Sequence, residues 1–327
     1  MTAPLHRVCV VGGAGFIGSH FVDRLLGDRR TEQVTVYDNF SSGREWHLAA
    51  HADDARLQVV KADVRDLEDL VAAVRGHDTI IHLASNPDIA RAVTEPAVDF
   101  DQGTLLTHHV AEAARRGDVQ LVLYASGSGV YGDLGELEAD EDHGPLIPVS
   151  TYGASKLAGE ALLASYAAMF DLQVRAFRFG NVVGPHQTHG VGYDFVRRLL
   201  DDPSTLRILG DGKQSKSYIH VDDVVSAVLL AATSPCGAFA VFNVATGDYV
   251  TVTEIAELAA DVVGLPAGSV RFEYSGGDRG WKGDVPVVRI NTDRIRALGW
   301  ANARTGPQAL RASMESMTRD AREGRFD

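Results

Sequence analysis

A chain of 327 residues, 45% of them hydrophobic and 23% charged, holds enough apolar material for one large or two intertwined domains and reads as a soluble globular protein. Its 44 acidic and 31 basic side chains leave a net charge of −13, which argues against a surface built for nucleic acid or for an anionic membrane. Cys9 and Cys236 stand far apart, giving neither a disulfide framework nor metal-ligand spacing, so no metal is expected.

The first residues, Met1 to Arg7, hold no long apolar stretch, so neither a secretory leader nor a membrane anchor is expected and the chain reads as cytoplasmic. The next apolar run predicts a strand over 7–11, then a glycine loop, a helix over 17–27 and strands over 33–38 and 57–61. A helix over 67–75, a strand over 79–83, a helix over 104–116, a strand over 120–125, a helix over 152–170 and a strand over 173–179 follow. This alternation predicts an α/β fold: a Rossmann-type, doubly wound parallel sheet with helices on both faces. Past residue 181 the rhythm breaks into helix 193–200, strands 206–209 and 217–220, helix 221–232, strand 241–245 and helix 252–263. The expected division is a cofactor domain over 1–181 and a smaller, interleaved α/β substrate domain over 182–327, with the segment near 217–245 returning to the first sheet.

Gly12, Gly15 and Gly18 follow the first strand with G-x-x-G-x-x-G spacing, and Phe16 and Ile17 open the helix. Glycine lets the backbone approach a pyrophosphate, whose charge is stabilised by the free amides and dipole of the helix start. At the end of the second strand, the Asp38 carboxylate suits the hydroxyls of an adenosine ribose and repels a 2′-phosphate, so NAD is expected rather than NADP. Arg44 is the one counter-signal. Asp63 and Val64 after the third strand, and Leu83, Ala84 and Ser85 after the fourth, lie at the carboxyl edge where an open parallel sheet binds ligand. Asp63 is expected at the adenine, and residues 83–85 along the ribose and nicotinamide.

Tyr152 and Lys156 are spaced i, i+4, which stacks a phenol and an ammonium on one helix face. A phenol is a poor base at neutral pH unless a fixed positive charge favours its anion. The spacing alone is common, but beside a dinucleotide edge it makes a candidate proton-transfer pair.

Taken in order, these residues resemble the extended short-chain dehydrogenase/reductase family and, within it, the UDP-sugar 4-epimerases. The resemblance covers nearly the whole chain. It rests on residues 12–18, Asp38-Asn39-Phe40-Ser41-Ser42-Gly43, His82-Leu83-Ala84-Ser85, Val130-Tyr131-Gly132, the Tyr152/Lys156 pair and Asn181-Val182-Val183-Gly184-Pro185. Further along it rests on Gly210-Asp211-Gly212, Tyr218-Ile219-His220-Val221-Asp222-Asp223 and Asp278-Arg279-Gly280-Trp281-Lys282-Gly283-Asp284. The resemblance implies that Tyr152 takes the proton of a sugar 4-hydroxyl as C4 gives its hydride to NAD. The resulting 4-keto sugar then turns its other face and receives the hydride back. It implies that Lys156 steadies the phenolate and binds ribose, and that NAD stays tightly bound between turnovers. Asn39, Ser42 and Gly43 would join the cofactor contacts, while Asn181, Lys216, Tyr218 and Arg279 would hold the UDP-sugar. His186 lies in the expected sugar loop, and its pairing with a C6 carboxylate would make the substrate a uronic acid.

The sequence departs from that pattern at Gly127, where resembling epimerases carry a serine or threonine that bonds the 4-oxygen. Ser128, or Ser126 on the other side, is expected to take over, with water or the substrate as alternatives. A second departure is Gly103, whose missing side chain would drop a nicotinamide hydrogen bond or move it to Gln102. Resembling 4,6-dehydratases carry an Asp-Glu pair where this chain has Ser128 and Gly129, which disfavours elimination chemistry. The competing readings are a nucleotide-sugar 4-ketoreductase and a catalytically weak NAD-binding scaffold. Small apolar residues on several faces of the helices near 104–116 and 152–170 suggest a homodimer packed through a four-helix interface.

Overall fold

Side chains alternate across the first strand, β1 (Arg7–Val11), and this alternation organises the larger part of the molecule. Val8 and Val10 enter one core with Phe21, Val22, Val224 and Val228, while Cys9 and Val11 enter another with Leu70, Val110 and Leu163. The computed structural model describes residues 5–281 and 283–325, so Lys282 and the first four residues discussed above lie outside it.

With β2 (Gln33–Asp38), β3 (Leu57–Lys61), β4 (Thr79–His82) and β5 (Leu121–Gly127), β1 belongs to a seven-stranded parallel sheet. Its order is 239–244, 173–179, β5, β4, β1, β2, β3. The chain builds outward from β1 to β3 on one side and then restarts at β4 on the other, leaving a crevice at the carboxyl ends of β1 and β4. Helices α1 (Phe16–Leu26) and α6 (Val221–Thr233) cover one face. Helices α2 (Leu67–Val74), α3 (Leu105–Arg116) and α4 (Thr151–Phe170) cover the other. The strand Phe239–Val244 pairs in parallel with Gln173–Phe179 as the sheet's edge.

A separate apolar core joins α5 (Val191–Asp201), the strand Thr205–Ile208 and α7 (Val252–Val263) to a helix over Gly306–Arg322. That last helix escaped the sequence reading although its start is marked: Thr305 and Gln308 form a capping box with Pro307 between them. Leu310, Met314 and Met317 form its buried stripe. At the junction of the two cores the short strand Tyr218–His220 pairs in parallel with Asn181–Val183. Two boundaries differ for local reasons. The strand β4 stops at His82 because the amides of Leu83 and Ala84 both turn to the Val11 carbonyl, at 2.9 and 3.1 Å. Helix α3 starts at Leu105 because a π-helical turn, Phe100–Thr104, precedes it. No helix among the described residues is long and apolar enough to cross a membrane.

Candidate active site

One large cleft opens along the carboxyl edge of the sheet and runs into the second core. At its floor the glycine loop allows a close approach that side chains would block. Gly12 has φ +85°, and a Cβ there would lie 2.8 Å from the Ala84 amide nitrogen. A Cβ on Gly18 would collide with the Gly12 carbonyl. Helix α1 begins at Phe16 with no side-chain cap, so its first amides keep their capacity for an anion. Asp38 is buried at the end of β2, where its carboxylate accepts from the amides of Ala14 at 2.9 Å and Phe40 at 2.8 Å. Burial raises its pKa, and these two bonds oppose the rise. Asn39 donates to Asp63 at 2.9 Å, and the Arg65 guanidinium beside it holds the Asp63 carboxyl well below its usual range.

The candidate proton-transfer pair, Tyr152 and Lys156, sits on the first turns of α4. Ser150 caps this helix by accepting from the Gly153 amide at 3.1 Å, which fixes where Tyr152 enters the cleft. One turn on, the Lys156 ammonium is buried, donates to the Ala125 carbonyl at 2.9 Å and lies 5.4 Å from the centre of the Tyr152 ring. Burial pushes the Tyr152 phenol up to about 12, against a hydrogen bond with the Ser85 hydroxyl that lowers it. Burial pulls the Lys156 ammonium down to about 8, against the Asp99 carboxylate that raises it. Asp99 is itself buried, accepting from Thr151 at 2.7 Å and Asn86 at 2.9 Å. At neutral pH the resting pair is therefore a neutral phenol beside a cation.

Behind the pair, Glu160 lies one further turn along α4 and forms a buried, two-pronged ion pair with Arg178, at 3.0 and 2.7 Å. Arg178 also donates to the Tyr131 hydroxyl at 2.9 Å, which in turn donates to Asn243 at 2.8 Å. This network ties α4 to three strands of the sheet and holds the dyad against β5.

A family model described as the NAD dependent epimerase/dehydratase family matches residues 8–245. The UDP-glucose 4-epimerase of Mycolicibacterium smegmatis is 38% identical over 302 residues, covering 90% of this chain and 93% of that one. The chain belongs to the NAD-dependent epimerase/dehydratase family. Among solved structures, a UDP-galactose 4-epimerase matches with TM-score 0.83 at 35% identity, covering 96% of this chain and 99% of its own. The dTDP-glucose 4,6-dehydratase DesIV of Streptomyces venezuelae, solved with NAD bound, matches with TM-score 0.88 at 29% identity, over 97% and 98%.

NAD is the cofactor of this epimerase/dehydratase family, and the chain's residues fit it. The glycine cradle admits a pyrophosphate where a Cβ would fill the space, and Gly12, Gly15, Phe16, Ile17 and Gly18 all face the cleft. Asp38, Asn39 and Ser42 line one end, with Asp63 and Val64 beside them. Leu83, Ala84 and Ser85 lead from there to Tyr152 and Lys156. Gly43 does not reach the cleft. It packs on the glycine loop instead, where a Cβ would lie 2.9 Å from the Ala14 Cβ. Arg44, the counter-signal to NAD, donates to the Ser42 and Gly43 carbonyls at 3.2 Å each.

In the other half of the cleft stand Asn181, Lys216 and Tyr218. Lys216 forms an ion pair with the buried carboxylate of Asp284. Two expected substrate contacts lie elsewhere. The Arg279 guanidinium does not line the cleft: it donates to Asp133 and to the Asp284 carbonyl, at 2.6 Å each, and so clasps two loops together. His186 also faces away. It bonds Ser19 at 2.9 Å and stacks on His47 with ring centres 4.5 Å apart, packing its loop against α1 and the turn Glu45–His51. The cleft wall instead brings in Arg197, Arg198 and Arg207, which the sequence reading passed over. Their signal was weak, because an arginine on a helix flank or strand end usually faces solvent.

The serines around Gly127 both border the cleft but differ in what holds them. Ser126 donates to Glu160 at 2.5 Å and is buried in the network behind the dyad. Ser128 opens a short helical turn, Ser128–Tyr131, and lines the cleft. At Gly127, a Cβ would meet nothing within 4 Å. Gly103 has a packing reason of its own, since a Cβ there would lie 2.6 Å from the Ser155 hydroxyl on α4, so no larger side chain fits while Ser155 stays.

Proposed function

We propose that this enzyme is a UDP-sugar 4-epimerase acting on a hexose or hexuronate through a transient 4-keto sugar. The observation that carries the reading is the Tyr152/Lys156 pair facing the cofactor edge, next to a segment, Ser126 to Gly129, that presents no carboxylate to the cleft. A 4,6-elimination needs groups that move protons at C5 and C6, and this wall offers none where resembling dehydratases carry Asp-Glu. NAD, when bound, supplies reversible oxidation at C4. The chain's own part is acid–base work: Tyr152 exchanges the O4 proton, and the Lys156 ammonium lowers the energy of the phenolate that forms in between. Asn181, Lys216 and Tyr218 would orient the sugar nucleotide. With Arg279 held by Asp133, the cations open to the diphosphate or base are Arg197 and Arg207, neither of which forms an ion pair among the described residues.

An epimerase restores its cofactor in every cycle, whereas a 4-ketoreductase consumes it. The purified enzyme should therefore turn over a UDP-sugar with no added NAD(H) and release NAD on denaturation. Turnover that stops until NADH is supplied would favour the ketoreductase instead.

We also propose a homodimer. Ala154, Ala158, Ala161, Leu162 and Met169 leave an apolar row on the outer side of α4, continued by exposed Phe170. Light scattering at micromolar concentration should give twice the chain mass, and a monomer mass would end this proposal.

A further inference from the structure

Two aromatic rings approach the Lys156 ammonium. Its Nζ lies 5.4 Å from the centre of the Tyr152 ring and 5.5 Å from the centre of the Tyr124 ring. Tyr124 comes from β5, is buried and does not line the cleft, so its place there calls for another reason than contact with substrate. Helix α4 makes room for it. A Cβ on Gly159 would stand 2.3 Å from the Tyr124 hydroxyl oxygen and 2.7 Å from the ring carbon that bears it. Glycine is unfavourable in the middle of a helix, and here it is what admits the ring. The Tyr124 hydroxyl donates to the Lys156 carbonyl at 3.4 Å, which ties the ring to the residue whose ammonium it faces. On its other neighbour, the His82 ring, the centres are 5.4 Å apart, and His82 Nε2 pairs with the Thr107 hydroxyl at 3.1 Å.

The ammonium is buried, and its hydrogen bond among the described residues goes to the Ala125 carbonyl at 2.9 Å. The charged groups around it offer limited support. Asp99 favours the cation, Glu160 is engaged by Arg178, and His82 is kept neutral by burial and by Lys156 itself. The face of an aromatic ring carries negative potential and attracts a cation stripped of its water. Burial raises the Tyr124 phenol, so this ring stays uncharged and is no second base.

We propose that Tyr124 is a positioning residue of the acid–base pair: its ring, admitted by Gly159, holds the Lys156 ammonium charged and in place beside Tyr152. The assignment deepens the epimerase reading and rests on it, because the charge so held steadies the Tyr152 phenolate. No proton passes through Tyr124.

The test weakens the face of the ring with little change in its size. Tyr124 is replaced by phenylalanine and then by mono-, di- and trifluorophenylalanine, since each fluorine draws negative potential from the face. NAD-loaded enzyme carrying lysine isotope-labelled at Cε is titrated by NMR, the Lys156 signal being the one that Lys156→Met removes. Tyr124→Phe should leave the Lys156 midpoint near its wild-type value of about 8. The fluorinated series should lower it stepwise, by about one pH unit in all, the tenfold change expected of one desolvated cation–π contact. The high-pH limb of kcat/KM should move down with it, while kcat at pH 6.5 and the KM for the UDP-sugar change little. A midpoint that stays in place across the fluorinated series, or a rate limb that does not follow it, would overturn the proposal. So would a drop already complete in Tyr124→Phe, which would assign the effect to the hydroxyl. The NMR titration needs no substrate, so turnover that yields no C4 epimer would count against the epimerase reading and leave the Tyr124 result standing.

Discussion

Replacing Lys156 by methionine keeps the length of the side chain and removes its charge, which isolates what the ammonium does for Tyr152. The ammonium lies 5.4 Å from the ring over which a phenolate charge would spread. At that separation, with an effective dielectric of about 20, the attraction is about 3 kcal/mol, or about two pKa units on the phenol. The phenol already stands near 12 because it is buried. Losing the cation would move it further from neutrality and make its anion about a hundredfold rarer. Lys156→Met should therefore lower kcat by about two orders of magnitude with little change in the KM for the sugar nucleotide. The assay is initial-rate epimerisation at neutral pH, with NAD added to saturation because Lys156 is also expected to hold the nicotinamide ribose. A kcat within threefold of wild type under saturating NAD would refute the electrostatic reasoning, and a loss confined to NAD affinity would reassign Lys156 as a cofactor ligand only.

The pH profile should carry the same signature with a definite sign: because burial lowers the Lys156 ammonium to about 8, kcat/KM measured from pH 6.5 to 9.5 should fall as pH rises through about 8. A rate still climbing at pH 9.5 would mean that free phenolate limits the reaction. Glu160→Gln leaves the Arg178 charge buried with half its partner gone, and should cost about 3–5 kcal/mol in a denaturant titration; less than 1 kcal/mol would show the pair to be incidental. Gly103→Ala forces a methyl to within 2.6 Å of the Ser155 hydroxyl and should destabilise by about 1–3 kcal/mol, with Ser155→Gly in the same chain relieving most of it. Independent, additive effects of these two substitutions would contradict the packing described.

The parts of the site legible in the sequence are those set by the backbone or by one turn of helix. The glycine loop announces itself because only glycine tolerates φ +85° beside Ala84, and the dyad because i, i+4 spacing on a helix fixes which side chains meet. The parts that were not legible depend on which distant partner captures a polar group. Arg279 carries a motif suited to phosphate, yet Asp133, 146 residues away, takes its guanidinium. His186 sits in the expected loop, but its left-handed backbone, φ +66°, accompanies a ring stacked on His47. Nothing local marks Asp99 either, since its importance comes from Thr151 and Asn86 closing over it. Among the elements, the helix Gly306–Arg322 was readable from its Thr305/Gln308 capping box and the strand Tyr218–His220 was expected over 217–220, whereas its partner Asn181–Val183 has too few residues to show a period.

The central claim is oxidation and re-reduction at the same carbon, and a labelled substrate reports on it directly. UDP-glucose carrying deuterium at C4, incubated with the purified enzyme in ordinary water, should give the C4 epimer with the deuterium still at C4 by proton and deuterium NMR. If glucose is the wrong sugar, UDP-glucuronate labelled in the same way should do so. Deuterium found at C6 of a dehydrated product, or lost to water from an otherwise inverted C4, would contradict the account.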